Sequence, residues 1–156
     1  MKRLIVGAAL LVLAGGASAD WESGVDGAVL KADGAKFEVY LAAPGTRIIP
    51  FLSKQFLRVR DASECINGLY PDARGIKSNA YPSFFINGEK VVAAAVCSDR
   101  NLIVLPETEA GRRLLQSAIA SNKAITLQLN GGNAYVFDNR SGRQAISDIQ
   151  NRSKGI

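Results

Sequence analysis

The residues that could perform chemistry are few, and the lack of histidine is the most informative feature of the sequence. Ser-His-Asp and Cys-His catalysis are excluded, because both use an imidazole as the general base. A zinc site is not expected either, since Cys65 and Cys97 are the only soft ligands and are better suited to a disulfide. The residue types therefore predict no catalytic residue of these classes and no metal site.

Catalysis by two carboxylates survives this exclusion. Glu107 and Glu109 form a close acidic pair. Residues two apart on a helix point in different directions, and acids are common in a first helical turn for structural reasons. We therefore expect no catalysis from this pair, and a carboxylate-based hydrolase acting on the cell envelope stays open as the third interpretation.

Cofactor and nucleic-acid signals are also missing from the sequence. It contains neither Gly-x-x-x-x-Gly-Lys-Ser/Thr nor Gly-x-Gly-x-x-Gly, so no nucleotide cofactor is expected. The chain has 19 Lys and Arg against 14 Asp and Glu, and the positive charges are spread along it. Nucleic-acid binders usually gather such charges into a stripe with aromatic residues, so we expect no nucleic-acid partner.

Residues 1–19 have the three-part order of a secretory signal peptide. A positive start is followed by the apolar run 4–14, which is too short to cross a bilayer, and by the small residues 17–19, which suit a signal peptidase. We predict cleavage before Asp20, which leaves residues 20–156 as one exported domain, periplasmic or secreted. No later run in the sequence is long and apolar enough to span a membrane.

Cys65 and Cys97 both lie in the exported part of the chain. In an oxidising compartment an isolated pair is most simply a disulfide, which would stabilise the fold by roughly 3 to 4 kcal/mol. The alternative is a redox-active pair, but the Cys-x-x-Cys spacing of such sites is absent. We predict a structural disulfide.

Short apolar or alternating runs separated by Gly, Pro, Asn and Asp predict a mostly β structure. The clearest hairpin joins residues 83–86 to residues 89–97 through Asn87-Gly88, because Asn-Gly supplies the two positive φ values of a type I′ turn. Further strands are predicted at 28–31, 37–42, 57–60, 102–105, 124–129 and 134–137, with an edge strand at 145–149.

One helix is predicted between the strands. Pro106 is expected to open it and Asn122 to lie near its end. Its first turn would hold Glu107 and Glu109, and its apolar face would carry Ala110, Leu114, Ala118 and Ile119.

The order of these elements predicts an α+β, β-rich domain. We expect a small antiparallel barrel, OB-like and partly open, with one helix before a closing β-hairpin around Gly131-Gly132. The form that we favour has five strands, with the helix between the third and the fourth.

The segment from Ile66 to Pro82 is the candidate binding surface. It carries aromatic and cationic side chains among Gly and Pro, and the predicted disulfide would anchor one end. The alternative is that the tyrosines pack beneath the segment and that the charges are merely solvated. The candidate binding residues are Tyr70, Arg74, Lys77 and Tyr81.

Two segments match the acceptor pattern for N-glycosylation, Asn139-Arg140-Ser141 and Asn151-Arg152-Ser153. A three-residue pattern is a weak signal. We interpret both segments as ordinary polar turns.

A set of landmarks is shared with a known family: Trp21, Cys65, the run 87–92, Val96-Cys97, the helix 114–120 and the strand 124–129. In spacing and hydrophobic pattern they resemble the receptor-binding B subunits of pertussis-like and subtilase-like toxins. Members of that family have an oligonucleotide/oligosaccharide-binding barrel, assemble as a five-membered ring and bind cell-surface glycans. The resemblance therefore implies a binding role without catalysis, in a homo-oligomer. Residues 42–64 are longer than such a subunit needs, and no second disulfide can form.

Together these features predict an exported, non-catalytic binding protein without cofactors, whose partner is a protein or a glycan. The first interpretation is a glycan- or receptor-binding module. The alternative is a periplasmic immunity or inhibitor protein that blocks a toxic or lytic enzyme.

Overall fold

The computed structural model describes residues 20–32, 36–43, 55–68 and 82–152, which form nine strands and three helices. The segment predicted to be a signal peptide lies outside these residues. In chain order the elements are β1 (Glu22–Gly24), β2 (Gly27–Lys31), β3 (Phe37–Ala42), β4 (Gln55–Val59), α1 (Ser63–Ile66), β5 (Ser83–Ile86), β6 (Glu89–Ser98), β7 (Asn101–Pro106), α2 (Glu109–Ala120), β8 (Ile125–Leu129), β9 (Ala134–Phe137) and α3 (Gly142–Arg152).

The strands form one antiparallel sheet in the order β1-β2-β3-β4-β7-β6-β5-β8-β9. The long strand β6 joins the two halves, because its residues 89–92 pair with β5 and its residues 93–98 pair with β7. The sheet curls far enough for Phe37 of β3 to stack on Tyr135 of β9, with ring centroids 3.4 Å apart.

The predicted fold class is confirmed: the domain is β-rich α+β, a partly open antiparallel barrel with α2 directly before the β8–β9 hairpin. The described residues form nine strands, where the barrel that we favour has five. The eight strands predicted between residues 28 and 137 all pair into the sheet, and β1 is added at its edge by pairing with β2.

The tight turns fix the register of the hairpins. Asn87 and Gly88 close the β5–β6 hairpin with φ of 50° and 82°, the two positive values that a type I′ turn requires. The Asn87 Oδ1 also accepts a hydrogen bond from the Thr126 N–H at 2.8 Å, which ties this turn to β8. In the β8–β9 hairpin the positive φ values are at Asn130 and Gly131, one residue earlier than predicted.

The inner face of the curled sheet, together with α2 and α3, forms the main core. Alternate residues of the strands point into it, as the pleat of a strand requires. Burying each large aliphatic side chain stabilises the fold by roughly 1.5 to 3 kcal/mol. Its largest fully buried members are Phe84, Phe137, Leu30, Leu57, Ile86, Leu102, Leu115, Ile119, Ile125 and Leu127.

Helix α2 begins later than predicted. Pro106 is the last residue of β7, and the helix starts at Glu109 after the N-cap Thr108, whose side chain accepts a hydrogen bond from the Gly111 N–H at 3.0 Å. The predicted inward positions Ala118 and Ile119 are buried. The other two inward positions are Gly111 and Leu115, each one residue beyond the predicted Ala110 and Leu114.

The edge strand predicted at 145–149 is wrong, because these residues lie in α3. Ala145 and Ile149 are the buried positions, and their spacing of four is that of a helix. Gly142 allows α3 to touch the end of α2, since a Cβ at this position would lie 2.0 Å from the Ile119 carbonyl oxygen. The sequence shows the apolar spacing, but only the packed helix reveals the close approach.

Asn139 is fully buried and links three parts of the fold. Its Nδ2 donates to the carbonyl oxygens of Ala118, Ile119 and Lys123 at 3.2, 2.8 and 3.1 Å, at the C-terminus of α2. Its Oδ1 accepts from the Trp21 Nε1 at 2.9 Å. The first glycosylation pattern is therefore neither an exposed turn nor open to a glycan in the folded protein, because its asparagine is a buried helix cap.

The predicted disulfide is confirmed: Cys65 and Cys97 are bonded, with their Cα atoms 5.6 Å apart. It joins α1 to the end of β6. No helix in the described part of the chain has the length and apolar character needed to cross a membrane. The disulfide is compatible with an exported protein.

Candidate functional site

The outer face of the sheet, turned away from α2 and α3, carries charged side chains beside buried aromatic ones. The strand register places Lys31 of β2 opposite Glu38 of β3, and Glu38 opposite Arg58 of β4. Opposite charges in directly facing positions attract one another across an antiparallel pair. This cross-strand row is the centre of the candidate site.

Glu38 is a fully buried carboxylate, with 0% of its surface exposed. The Arg58 Nε donates to its Oε2 at 2.5 Å, and the Arg60 Nε lies 2.8 Å from its Oε1. The second contact is an ion pair without hydrogen-bond alignment, since Oε1 receives no hydrogen bond of normal geometry in the described part of the chain. We call these three residues the Arg-Glu-Arg cluster.

An aromatic pair lies beneath the cluster. Tyr40 of β3 faces Phe56 of β4 in the register, and their rings stack with centroids 4.9 Å apart. The Arg58 guanidinium carbon lies 5.2 Å from the centre of the Tyr40 ring, within the range of a cation-π contact. Arg58 is thus held by a carboxylate at its Nε and by a ring against its face.

The surroundings of Tyr40 alter its acidity. Burial raises the pKa of the Tyr40 phenol above its usual value, and the carboxylates of Asp26 and Glu38 raise it further, while Arg58 opposes them. The phenol is therefore held in its neutral form, and it serves as a support for Arg58.

The cluster opens into a depression of about 290 Å³. One wall is the turn between β1 and β2, where Val25 is 94% exposed. The other wall holds the two arginines, and Lys31 at the rim is paired with Glu22 at 2.5 Å. The depression therefore presents guanidinium groups and the exposed Val25 side chain to solvent.

This arrangement is suited to binding. Both carboxylate oxygens of Glu38 meet a guanidinium group, so Glu38 is occupied as an ion-pair partner. The arginines are always charged and have no acid-base function near neutral pH. Guanidinium groups recognise oxyanions by paired hydrogen bonds, and this is the chemistry that the site offers.

A second cavity of about 410 Å³ lies between α2, α3 and the adjoining ends of β3 and β4. Its floor contains Leu41, Ile146 and Ile149, and its rim is polar. Two rim arginines are already engaged, because Arg113 pairs with Glu109 and Arg112 donates to the Glu107 carbonyl oxygen. We regard it as the weaker candidate, since these contacts hold the rim arginines to α2 and its N-terminal flank.

The binding residues predicted from the sequence, Tyr70, Arg74, Lys77 and Tyr81, lie outside the described residues, and their role stays a prediction. The acidic pair Glu107 and Glu109 lies at the N-terminal end of α2, and both residues are exposed. In the described part of the chain, no three His, Cys, Asp or Glu side chains come together as metal ligands would.

Sequence reasoning missed the Arg-Glu-Arg cluster. The alternation of apolar and polar residues at 57–60 predicts a strand with one buried face, which is correct, but it does not indicate which residue the two arginines meet. The available signal was Glu38, a charged residue inside an otherwise apolar strand. Its significance depends on β3 pairing with β4, which the sequence alone does not specify.

Comparisons with family models, curated proteins and solved structures found no match for this chain.

Proposed function

We propose that the chain is an exported, non-catalytic binding protein, a glycan- or receptor-binding module whose partner contacts the outer face of β2, β3 and β4. The observation that carries this proposal is the Arg-Glu-Arg cluster. A fully buried carboxylate holds two arginines that remain 23% and 52% exposed, so the cluster is fixed within the sheet and open towards solvent. Binding sites on rigid strands of this kind need little reorganisation on association.

Energetics supports a functional interpretation of the cluster. Moving a carboxylate out of water costs several kcal/mol, and well-packed apolar residues in its place are often equally stable or more stable. The neighbouring buried side chains of this face, Tyr40 and Phe56, belong to an apolar cluster, so an apolar residue could fill the space of Glu38. Its contribution is to orient Arg58 and Arg60.

Export is supported by the order of residues 1–19 and is compatible with the disulfide between Cys65 and Cys97. To test it, the full chain is expressed in a secreting bacterial host, and the exported product is analysed by intact-mass spectrometry. We expect a chain that begins at Asp20. Full-length protein retained with the cells would contradict the proposal.

The binding face is tested with two double variants of equal charge change. Lys31→Gln/Arg60→Gln alters the proposed face, and Arg113→Gln/Arg140→Gln removes two exposed cations elsewhere. Both variants and the wild type are applied to a glycan array. They are also used as baits in cross-linking experiments in the compartment that receives the protein. We expect a ligand retained by the wild type and the second variant, and lost from the first.

Two outcomes would contradict the proposal. The first is a retained ligand that is chemically altered on incubation, since this would indicate catalysis. The second is equal retention by both double variants. In the second case the triple variant Tyr70→Ala/Arg74→Ala/Tyr81→Ala tests the segment predicted from the sequence, because loss of binding without loss of fold would place the interface there.

One observation favours the alternative, an immunity or inhibitor protein that blocks an enzyme. Val25 is 94% exposed at the wall of the depression, and apolar side chains beside arginine are typical of protein interfaces. An inhibitor would form a stable complex with one enzyme and abolish its activity. Activity measurements on enzymes recovered by cross-linking distinguish this function from that of a module that only attaches to its receptor.

A further inference from the structure

We propose that the Arg-Glu-Arg cluster binds one carboxylate of an acidic protein segment, with Val25 packing against an apolar group beside that carboxylate. This inference rests on the proposed binding function and specifies the chemistry of the partner.

The number of charges in the cluster indicates a ligand with one negative charge. Glu38 can offset only one of the two guanidinium charges, which leaves one positive charge between Arg58 and Arg60. The neighbouring Lys31 is neutralised by its pair with Glu22. A ligand carboxylate would neutralise this one charge of the cluster, whereas a doubly charged phosphate would exceed it.

Asp26 lies on the opposite wall of the depression and adds one further carboxylate. It lies close enough to the Tyr40 phenol to raise its pKa. With Asp26 counted, the lining carries three positive and three negative side chains, so the depression has no net positive charge and the ligand must meet the guanidinium groups directly. Such a site disfavours highly charged anions and favours a monoanion over a phosphate or sulfate.

The orientation of the guanidinium groups suits a carboxylate. Arg58 and Arg60 both meet Glu38 through Nε. The contact with Glu38 therefore does not use the edge formed by the two Nη groups. That Nη edge can donate two parallel hydrogen bonds, which match the two oxygens of a carboxylate. Arg58 is also fixed against the Tyr40 ring, so less side-chain freedom is lost on binding.

The composition of the depression favours a protein over a glycan. Its aromatic residue, Tyr40, is only 7% exposed and presents no ring face to a ligand. Its volume of about 290 Å³ lies at the lower limit of small-molecule sites. Val25 instead projects at the wall, and an exposed apolar side chain beside arginine provides the composition of a small protein interface.

The test uses the exported protein on two arrays. One carries acidic peptides, each beside a matched peptide with Asn and Gln in place of Asp and Glu, and the other carries neutral and carboxylated glycans. We expect the wild type to prefer acidic peptides over their amide partners by about tenfold or more. Affinities for the strongest peptides are then measured by biolayer interferometry.

The variants are chosen so that folding does not obscure the result. Arg60→Gln leaves Arg58 paired with Glu38, and Arg113→Gln is the matched loss of an exposed cation. We expect Arg60→Gln to weaken peptide binding by about tenfold, Val25→Ser by about threefold, and Arg113→Gln to have no effect. Melting temperatures within about 3 °C of the wild type confirm that the variants are folded.

Each other outcome overturns the inference in a different way. Acidic-peptide binding that is insensitive to Arg60→Gln would mean that the cluster is not the site. Retention by glycans alone would exclude a protein partner while leaving the proposed binding function intact. Retention on neither array would contradict the inference and weaken the proposed function as well.

Discussion

Two polar side chains are fully buried in the described part of the chain, Asn139 beside the inner core and Glu38 on the outer face. Asn139 bonds to backbone carbonyl groups and to the indole of Trp21. Glu38 forms ion pairs with Arg58 and Arg60, whose side chains reach solvent. The two residues are equally buried, but their partners differ.

The partners indicate what each residue does. The C-terminal carbonyl groups of a helix have no partners within the helix, and Asn139 supplies hydrogen bonds to them at the point where α2 ends. Because its partners are backbone carbonyl groups and the Trp21 indole, all within the fold, its role is structural. Glu38 pairs with side chains that reach solvent, and in the proposed function it orients them for a partner. Buried polar groups should therefore be interpreted through the exposure of their partners.

The largest effect is expected for Asn139→Ala, which removes the side-chain donor from the Ile119 and Lys123 carbonyl oxygens and the acceptor from the Trp21 N–H. The Ala118 carbonyl oxygen keeps its hydrogen bonds from Ser121. Unsatisfied buried groups cost about 1 to 3 kcal/mol each, so we expect a loss of about 3 kcal/mol and a melting temperature lower by roughly 10 °C. Urea unfolding measures the loss of free energy. Asn151→Ala, at an exposed asparagine of α3, is the control and should change stability by less than about 0.5 kcal/mol.

Arg58→Gln should have a smaller effect on stability, about 2 kcal/mol, because the buried Glu38 keeps Arg60 as a partner. The double variant Glu38→Gln/Arg58→Gln should recover most of this loss, because the buried carboxylate charge is then absent and needs no ion-pair partner. Thermal unfolding of the wild type, the two single variants and the double variant gives the coupling energy between the two residues. Additive effects would mean that the two residues do not act together.

Glu38→Gln alone should change stability by less than about 1 kcal/mol, because the lost ion pairs are offset by the removal of a costly buried charge. Its effect should instead be on binding, since Arg58 and Arg60 lose the group that orients them. Unfolding and peptide-binding measurements on the same preparation separate the two effects. A loss of stability as large as that for Asn139→Ala would remove the distinction between the two buried residues.

The smallest effect concerns alkaline pH. The pKa of Tyr40 is raised, chiefly by burial and then by the nearby Asp26 and Glu38, against the opposing effect of Arg58. Because the pKa is raised in the folded state, the stabilisation that the neutral phenol provides is fully present below the unfolded-state pKa of about 10. It is lost as the pH rises through the folded-state pKa. Tyr40→Phe should remove this alkaline loss.

The measurement is the free energy of unfolding at a series of pH values between about 9 and 11. Tyr135→Phe removes the same hydroxyl group at a different position and is the matched control. An unchanged slope in Tyr40→Phe would show that the phenol does not contribute to the pH dependence.

Local signals in the sequence predicted much of the framework. Asn87-Gly88 closes its hairpin as expected because only a few residue types adopt two positive φ values cheaply. The alternating runs became β2, β3 and β4, since the two-residue period of a strand is visible in the sequence. The prediction failed at 145–149, where a short apolar run fits a strand or a helix, and packing against α2 selected the helix.

The sequence by itself determined the exclusion of histidine chemistry, the β-rich character of the domain and the pairing of Cys65 with Cys97, because each depends on composition, on local conformation or on a single available partner. Only the tertiary structure decided which charges meet. Glu38 and Arg58 are brought together by the pairing of β3 with β4, and Asn139 reaches the end of α2 by packing. Both contacts join residues about twenty positions apart, and no periodicity within a strand or helix specifies such a distance.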